Sequence, residues 1–238
     1  EAGEVDASAA IGANLWPDEA VLPQLDGWKD TMCNYFQAVH LLGMRLLRVL
    51  ALSLDLPADY FTPKFSNPME ALRLLHYSAQ KSDAGAGILG CGAHSDYGML
   101  TLLLTDDVPG LEILRGGCSV ETARDEDWMH VAPRADCFIV NLGDMLARWT
   151  NDLYSSTVHR VVNRSGRERY SIPFFFEPNF DCVVSCLEGF GPAKYATTTS
   201  GAYLLSKYSQ THAMFKKKGE DEAESGEGNG VASGISVS

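Results

Sequence analysis

The chain has 238 residues, 45% of them hydrophobic and 21% charged, the balance of an ordinary globular protein and enough length for one domain with a substantial core. Its formal net charge of −12, with Lys216-Lys217-Lys218 as the one cationic run, argues against a nucleic-acid partner, because phosphate backbones are met by basic surfaces. No apolar stretch approaches the roughly 20 residues a membrane span needs, and the first residues lack a signal-peptide pattern, so the expectation is a soluble, cytoplasmic monomer with no membrane partner.

Residues 1 to 24 are Ala/Gly-rich and mixed. From near Leu25, apolar positions at Trp28, Met32, Tyr35, Phe36, Val39, Leu42, Leu46, Leu47, Leu50 and Leu54 recur at three- and four-residue steps, the stripe of an amphipathic helix ending before Pro57. Gly43 interrupts it, and His40 within it reads as a satisfied boundary histidine. From Ala71 the period shortens. Residues 71–77, 88–94, 99–105, 111–114, 128–131, 138–142, 157–162, 170–176 and 182–186 read as strands, separated by turn sequences such as Asp106 to Gly110 and Arg164 to Arg167. Many evenly spaced short strands suggest a barrel or sandwich. Residues 201–215 look helical again, and the Lys/Glu/Gly/Ser-rich residues 216–238 are expected to be disordered. The six cysteines, Cys33, Cys91, Cys118, Cys137, Cys182 and Cys186, form no CxxC pair and are expected to be buried free thiols rather than zinc ligands or disulfides.

His94 and Asp96 stand two apart, so on an extended segment both side chains project from one face. With six histidines and 31 acidic residues in the chain, one His-x-acid pair is expected by chance. A third member lifts the signal: His159 lies in an alternating strand some sixty residues later, which a barrel can return beside the dyad. Two imidazoles and one carboxylate suit Fe(II) in an octahedral site with three positions left open on one face. A closed structural zinc site would need a fourth protein ligand, and a zinc hydrolase would need a glutamate base between paired helical histidines; neither is present at a suitable spacing. Arg169 and Ser171 are again two apart, placing a guanidinium and a hydroxyl on one face of the next strand, as a clamp for a carboxylate. The Gly-containing turn before them is expected to make a hairpin that sets this strand beside that of His159. By parity Phe175 shares the face and is a candidate wall of the substrate pocket. His76, His130 and His212 lack partners at ligand spacing and are expected to be structural or exposed, and Asp144 is expected to cap a short helix starting near Met145.

The segments Gly92 to Gly98, Asn141 to Met145, Ser156 to Val161 and Arg169 to Phe175, with Leu-Arg-Leu-Leu-His-Tyr at 72–77, resemble the isopenicillin N synthase-like Fe(II)/2-oxoglutarate-dependent dioxygenases, from about Trp16 to Phe215. The resemblance implies a mainly β fold with flanking α-helices around a double-stranded β-helix, or jelly-roll, core. That core would occupy residues 71–215 with a C-terminal helix, supported by an N-terminal segment over 1–70. It implies iron bound by His94, Asp96 and His159, and the distal carboxylate of 2-oxoglutarate held by Arg169 and Ser171 with help from Tyr77. The cofactor set would be Fe(II), 2-oxoglutarate and dioxygen, with ascorbate a candidate reductant, and no separate acid or base. The reaction implied is hydroxylation, or desaturation or cyclisation, of a small organic molecule as 2-oxoglutarate is decarboxylated to succinate. Two departures stand out: relatives usually carry several tens more residues at the N-terminal end, and Leu75 occupies a position where many plant members have asparagine. The alternatives are a same-fold iron oxidase that uses no 2-oxoglutarate and a non-catalytic ligand-binding relative.

Overall fold

The computed structural model describes residues 14–211 apart from Glu19; the tail expected at 216–238, the last turn of the expected C-terminal helix and His212 lie outside the described residues. In chain order the elements are α1 (Trp28–Ser53), β1 (Pro68–Leu72), β2 (Leu75–Tyr77), β3 (Cys91–His94), β4 (Leu100–Thr105), β5 (Leu111–Leu114), β6 (Trp128–His130), β7 (Ile139–Leu142), α2 (Asp144–Trp149), β8 (His159–Val161), β9 (Arg169–Asn179), β10 (Val183–Val184), β11 (Thr198–Thr199) and α3 (Ser200–Thr211). The described residues form two compact units: one holds those up to Leu72 with Phe176–Ser185 and residues 196–211, the other Arg73–Phe175 with Cys186–Tyr195.

In the first unit α1 buries Phe36, Val39, Gly43, Leu47 and Ala51, the three- and four-residue recurrence of a core-facing stripe. Gly43, which breaks the apolar pattern in sequence, is where the ring of Phe176 sits: a Cβ there would lie 2.9 Å from Phe176 Cε1. Phe65 packs on the same ring at 4.7 Å, and His40 meets it edge-on while its Nδ1 pairs with Glu70 at 2.6 Å. Burial pushes the Glu70 carboxyl up, against the pull of His40. The helix stops where Asp55 turns into left-handed backbone (φ 56°), just before Pro57. The short antiparallel pair β10–β11 leads into α3, whose Gly201 makes room for Phe180.

One expectation is corrected here. The stretch Pro23–Ser53 is long and apolar enough to cross a membrane by length and composition. Arg45 and Arg48 break the apolar run read residue by residue, whereas hydropathy averaged along the helix absorbs them. Leu41, Val49 and Leu52 lie exposed on the helix.

The second unit carries two antiparallel sheets. One runs β2-β9-β4-β7 and the other β3-β8-β5-β6. Their apolar residues, Leu100, Leu102 and Leu103 of β4, Leu111 and Leu114 of β5 and Val161 of β8, are buried; β4 is buried at four successive positions, and Leu111 and Leu114 fall on opposite faces of β5, so neither strand shows a one-sided alternation. The sheets meet around Gly90: a Cβ there would lie 3.0 Å from the Tyr77 ring of one sheet and 3.1 Å from Val161 Cγ1 of the other. The expected hairpin between the His159 and Arg169 strands is not formed, because β8 and β9 belong to different sheets. Asn163 explains the crossing. Its Nδ2 donates to the carbonyls of Ser78 and Arg167, and its Oδ1 accepts from Ser165 Oγ and Gly166 N, so the turn closes on a side chain instead of on a β8–β9 ladder. Gly166 takes the left-handed φ of 69° that this turn requires. The expected strand at 71–77 is likewise broken into β1 and β2, with Arg73 N turned to the Pro173 carbonyl.

Two smaller expectations also change. All six cysteines are free, but none is fully buried, and Cys118 and Cys137 are exposed; both sit outside the strands, where no core is available to take them. Helix α2 is capped by Gly143, with Asp144 as its first residue.

Candidate metal centre

His94 is the last residue of β3 and lies directly opposite His159, the first of β8. Their rings are 4.3 Å apart at 55°. Asp96 follows in the connection to β4, nearly buried, with Oδ1 3.7 Å from His159 Nε2. One ligand atom from each of the three residues can be chosen so that all lie within 4.8 Å of one another, the one such His/Cys/Asp/Glu cluster among the described residues. The backbone decides which imidazole nitrogens are available. His94 Nδ1 is 2.8 Å from the Gly92 carbonyl and His159 Nδ1 is 3.0 Å from that of Thr157. A carbonyl only accepts, so both Nδ1 atoms carry hydrogen and both Nε2 lone pairs are left for a metal.

The Cys91 thiol stands 3.8 Å from His94 Nδ1. In the metal-free protein that contact, the Gly92 carbonyl and the Asp96 charge together outweigh burial and hold the His94 pKa up at about 9. Without a metal the protonated His94 imidazole is therefore favoured, and a metal bound at Nε2 takes the place of that proton.

Asn141 of β7 donates from Nδ2 to Asp96 Oδ2 at 3.2 Å. The N-terminal end of α2 holds the main chain beside it: Asp144 N donates to the Asp96 carbonyl and Met145 N to that of Gly98. Gly143 is required there, since a Cβ would fall 2.3 Å from Gly98 O.

Arg169 and Ser171 of β9 are both buried, at 1% and 3% exposure, while Tyr170 between them is exposed, as alternation on a strand dictates. Tyr77 stands directly across from Arg169 and Leu75 across from Ser171, and the Tyr77 ring lies over the guanidinium at 5.0 Å. Arg169 Nε donates to the Val108 carbonyl at 3.3 Å, but Nη1 meets no hydrogen-bond partner among the described residues. A buried guanidinium with an unmet donor is costly unless an anion completes it. Gly110 leaves room for its stem, since a Cβ would come within 3.1 Å of Arg169 Cδ. Phe175 is half-buried where Phe174 and Phe176 on either side are fully so.

His76 stacks on Tyr170 at 4.7 Å on the exposed side, and His130 pairs with Glu112 at 3.2 Å. That glutamate, 0% exposed, is in the sequence only one strand position; in the fold it also receives Arg160 at 2.8 Å and Arg164 at 3.0 Å, with Arg160 lying over Trp128 at 4.1 Å. This ionic lattice backs the strand of His159 on the face opposite the cluster, because Glu112 pairs with Arg160 and Ile113 with His159. Sequence reading missed Asn141 as the partner of Asp96, Cys91 beside His94, and Gly110 and Gly90 as spaces kept for Arg169 and Tyr77. Only Asn141 left a trace, as part of a segment that looked like a motif.

Comparison with known proteins identifies the family. Residues 68–178 match the model of the 2OG-Fe(II) oxygenase superfamily. A 2-oxoglutarate-Fe(II) type oxidoreductase of Emericella nidulans is 38% identical over 218 residues, 90% of this chain and 60% of that protein; one of Aspergillus fumigatus is 43% identical over 183 residues, 75% of this chain and 50% of that protein. The crystal structure of a full-length Neurospora crassa protein in complex with alpha-KG and thymine superposes with TM-score 0.74 at 33% identity, covering 83% of this chain and 60% of that one. The chain thus spans roughly half to 60% of the length of these relatives. The shared fold has a jelly-roll core, and the chain belongs to the 2OG-Fe(II) oxygenase superfamily.

Proposed function

We propose that this chain is the catalytic part of an Fe(II)- and 2-oxoglutarate-dependent oxygenase that hydroxylates a small organic molecule, with desaturation or cyclisation open to the same chemistry. The observation that carries the reading is the buried Arg169, whose unmet Nη1 lies in the same unit as two imidazoles and a carboxylate with free ligand atoms. The donor set fits Fe(II), and the orphaned cation fits the far carboxylate of an acid that chelates it. Arg169 approaches β8 near Val162, whose N–H bonds the Gly110 carbonyl. Val162 follows directly on β8, three residue steps from His159, a rise of roughly 10 Å in extended chain, which a short dicarboxylic acid and an arginine side chain together can bridge.

Iron(II) bound by His94, Asp96 and His159 would supply dioxygen activation coupled to decarboxylation of 2-oxoglutarate to succinate. The chain's own residues orient and exclude. The carbonyls of Gly92 and Thr157 hold each imidazole with Nε2 forward, and Arg169 with Ser171 fixes the co-substrate tail. Tyr77 covers one face of the guanidinium and keeps water from it, and Phe175 forms part of the substrate wall. Thymine and alpha-KG bound together in the Neurospora crassa protein support a small-molecule substrate here. The test is succinate formation from 2-oxoglutarate in air with Fe(II) and ascorbate, over a broad panel of small molecules. Succinate that disappears in Asp96→Ala is expected. None across the panel would overturn the reading in favour of a same-fold oxidase that uses no 2-oxoglutarate.

A further inference from the structure

The segment that follows β7 grips the Asp96 turn at several points. Gly143 N donates to the Met99 carbonyl at 3.0 Å, Asp144 N to that of Asp96 at 2.8 Å and Met145 N to that of Gly98 at 3.0 Å. These bonds set the backbone. The carboxylate itself is set by Asn141, which sits opposite Thr101 in the β4–β7 ladder and donates from Nδ2 to Asp96 Oδ2 at 3.2 Å. The two oxygens of Asp96 thus have different surroundings: Oδ2 is turned to the amide, while Oδ1 faces His159 Nε2 at 3.7 Å.

We infer that Asn141 is a positioning residue for the metal centre, holding Oδ2 so that Asp96 presents Oδ1 alone to the ion. This rests on the reading of His94, Asp96 and His159 as the iron site. The coordination count gives the reason. An octahedral ion has six positions, and three protein atoms leave three; a chelating 2-oxo acid takes two and dioxygen needs the last. A carboxylate left free to turn would carry Oδ1 out of line with the ion, which weakens the site as the loss of any orienting partner does, and would let Oδ2 drift toward that last position. Asn141 opposes that motion with a directed hydrogen bond. An amide suits the task better than a cation, because it engages Oδ2 without neutralising the charge that Asp96 brings to the metal. Backbone bonds alone do not suffice, since they leave the carboxylate free to turn about its side-chain torsions.

The test uses the whole chain, metal-free, titrated anaerobically with Co(II) as a visible stand-in for Fe(II), alongside thermal melts without metal. Asn141→Leu keeps the volume and removes the donor. Its Co(II) affinity should fall about 10–100-fold, the usual effect of losing a partner that orients a metal ligand, with the metal-free melting temperature close to wild type. A purely structural role would lower the melting temperature and leave the affinity of the folded protein alone, and an affinity indistinguishable from wild type would overturn the assignment. Should the leucine variant not fold, Asn141→Thr carries the same test, because threonine suits a strand while its shorter hydroxyl falls short of Oδ2. A wild-type protein that binds no Co(II) overturns the metal-site reading and this assignment with it. Wild type and variant binding alike overturns only the role of Asn141.

Discussion

Replacing Arg169 by methionine should strengthen the metal-free fold while abolishing co-substrate binding, two effects of opposite sign from one change. Arg169 is 1% exposed, and among the described residues its polar contacts are a single bond to Val108 O at 3.3 Å and the Tyr77 ring at 5.0 Å, with Nη1 unmet. A buried cation so poorly compensated retains most of its desolvation cost. Exchange of buried charges for well-packed apolar groups of similar volume is often stabilising by about 1–4 kcal/mol, and methionine adapts to the channel left by the arginine stem. At about 2–4 °C per kcal/mol for a protein of this size, the melting temperature should rise by several degrees. With 2-oxoglutarate the balance reverses. Two charge-assisted hydrogen bonds at about 1.5–3 kcal/mol each amount to roughly a hundredfold to ten-thousandfold in affinity. Denaturant titration of the metal-free protein and anaerobic 2-oxoglutarate titration of the Co(II) form measure the two effects separately. A variant that is less stable and still binds 2-oxoglutarate like wild type would refute the reasoning.

Gly143→Ala forces a Cβ to 2.3 Å from Gly98 O, backbone against backbone, and should cost more than about 2 kcal/mol in denaturant unfolding; a smaller loss would show that the α2 end and the Asp96 turn are not rigidly coupled. Glu112→Ala removes the shared partner of Arg160 and Arg164 and leaves Arg160 buried with less compensation, an expected loss of about 3–5 kcal/mol by the same assay. Below pH 9 the His94 imidazole, whose pKa is held at about 9, carries a proton that a metal must displace, so Co(II) affinity should rise with pH by about tenfold per unit and level off above it. Because that folded pKa lies above the unfolded value, the metal-free protein gains stability that is fully present at low pH and lost as pH rises through about 9. Calorimetry in buffers of different ionisation enthalpy should detect the released proton at neutral pH, and its absence would refute the assignment of the charge to His94.

What could be read from the chain was what has a local period or a distinctive chemistry. Leu111–Leu114 is a short, mostly apolar run bounded by turns on both sides, so its limits were legible to the residue. The His94, Asp96 and His159 cluster was legible because few residue types bind metals and a two-residue step lets neighbours share a side, although Asp96 lies just past the end of β3. Partners brought together only by the fold were not. Nothing near Asn141 marks it for Asp96, 45 residues earlier, and nothing at Glu112 marks it for Arg160 and Arg164, 48 and 52 residues later. Gly43 looked like a flaw in a helix because the ring that needs the space, Phe176, lies far along the chain. The β8–β9 connection misled for a related reason: a glycine-bearing turn between two strands implies a hairpin, unless a side chain such as Asn163 satisfies the turn and sends the chain to the other sheet.

The most direct test of the central claim is the visible metal-to-ligand charge-transfer band on anaerobic addition of Fe(II) and 2-oxoglutarate. Wild-type protein should develop the band, and His94→Ala, which removes an imidazole whose Nε2 is left free for the metal by the Gly92 carbonyl, should lose most of it. No band in the wild type, or a band unchanged by that substitution, would contradict an iron and 2-oxoglutarate site at His94, Asp96 and His159.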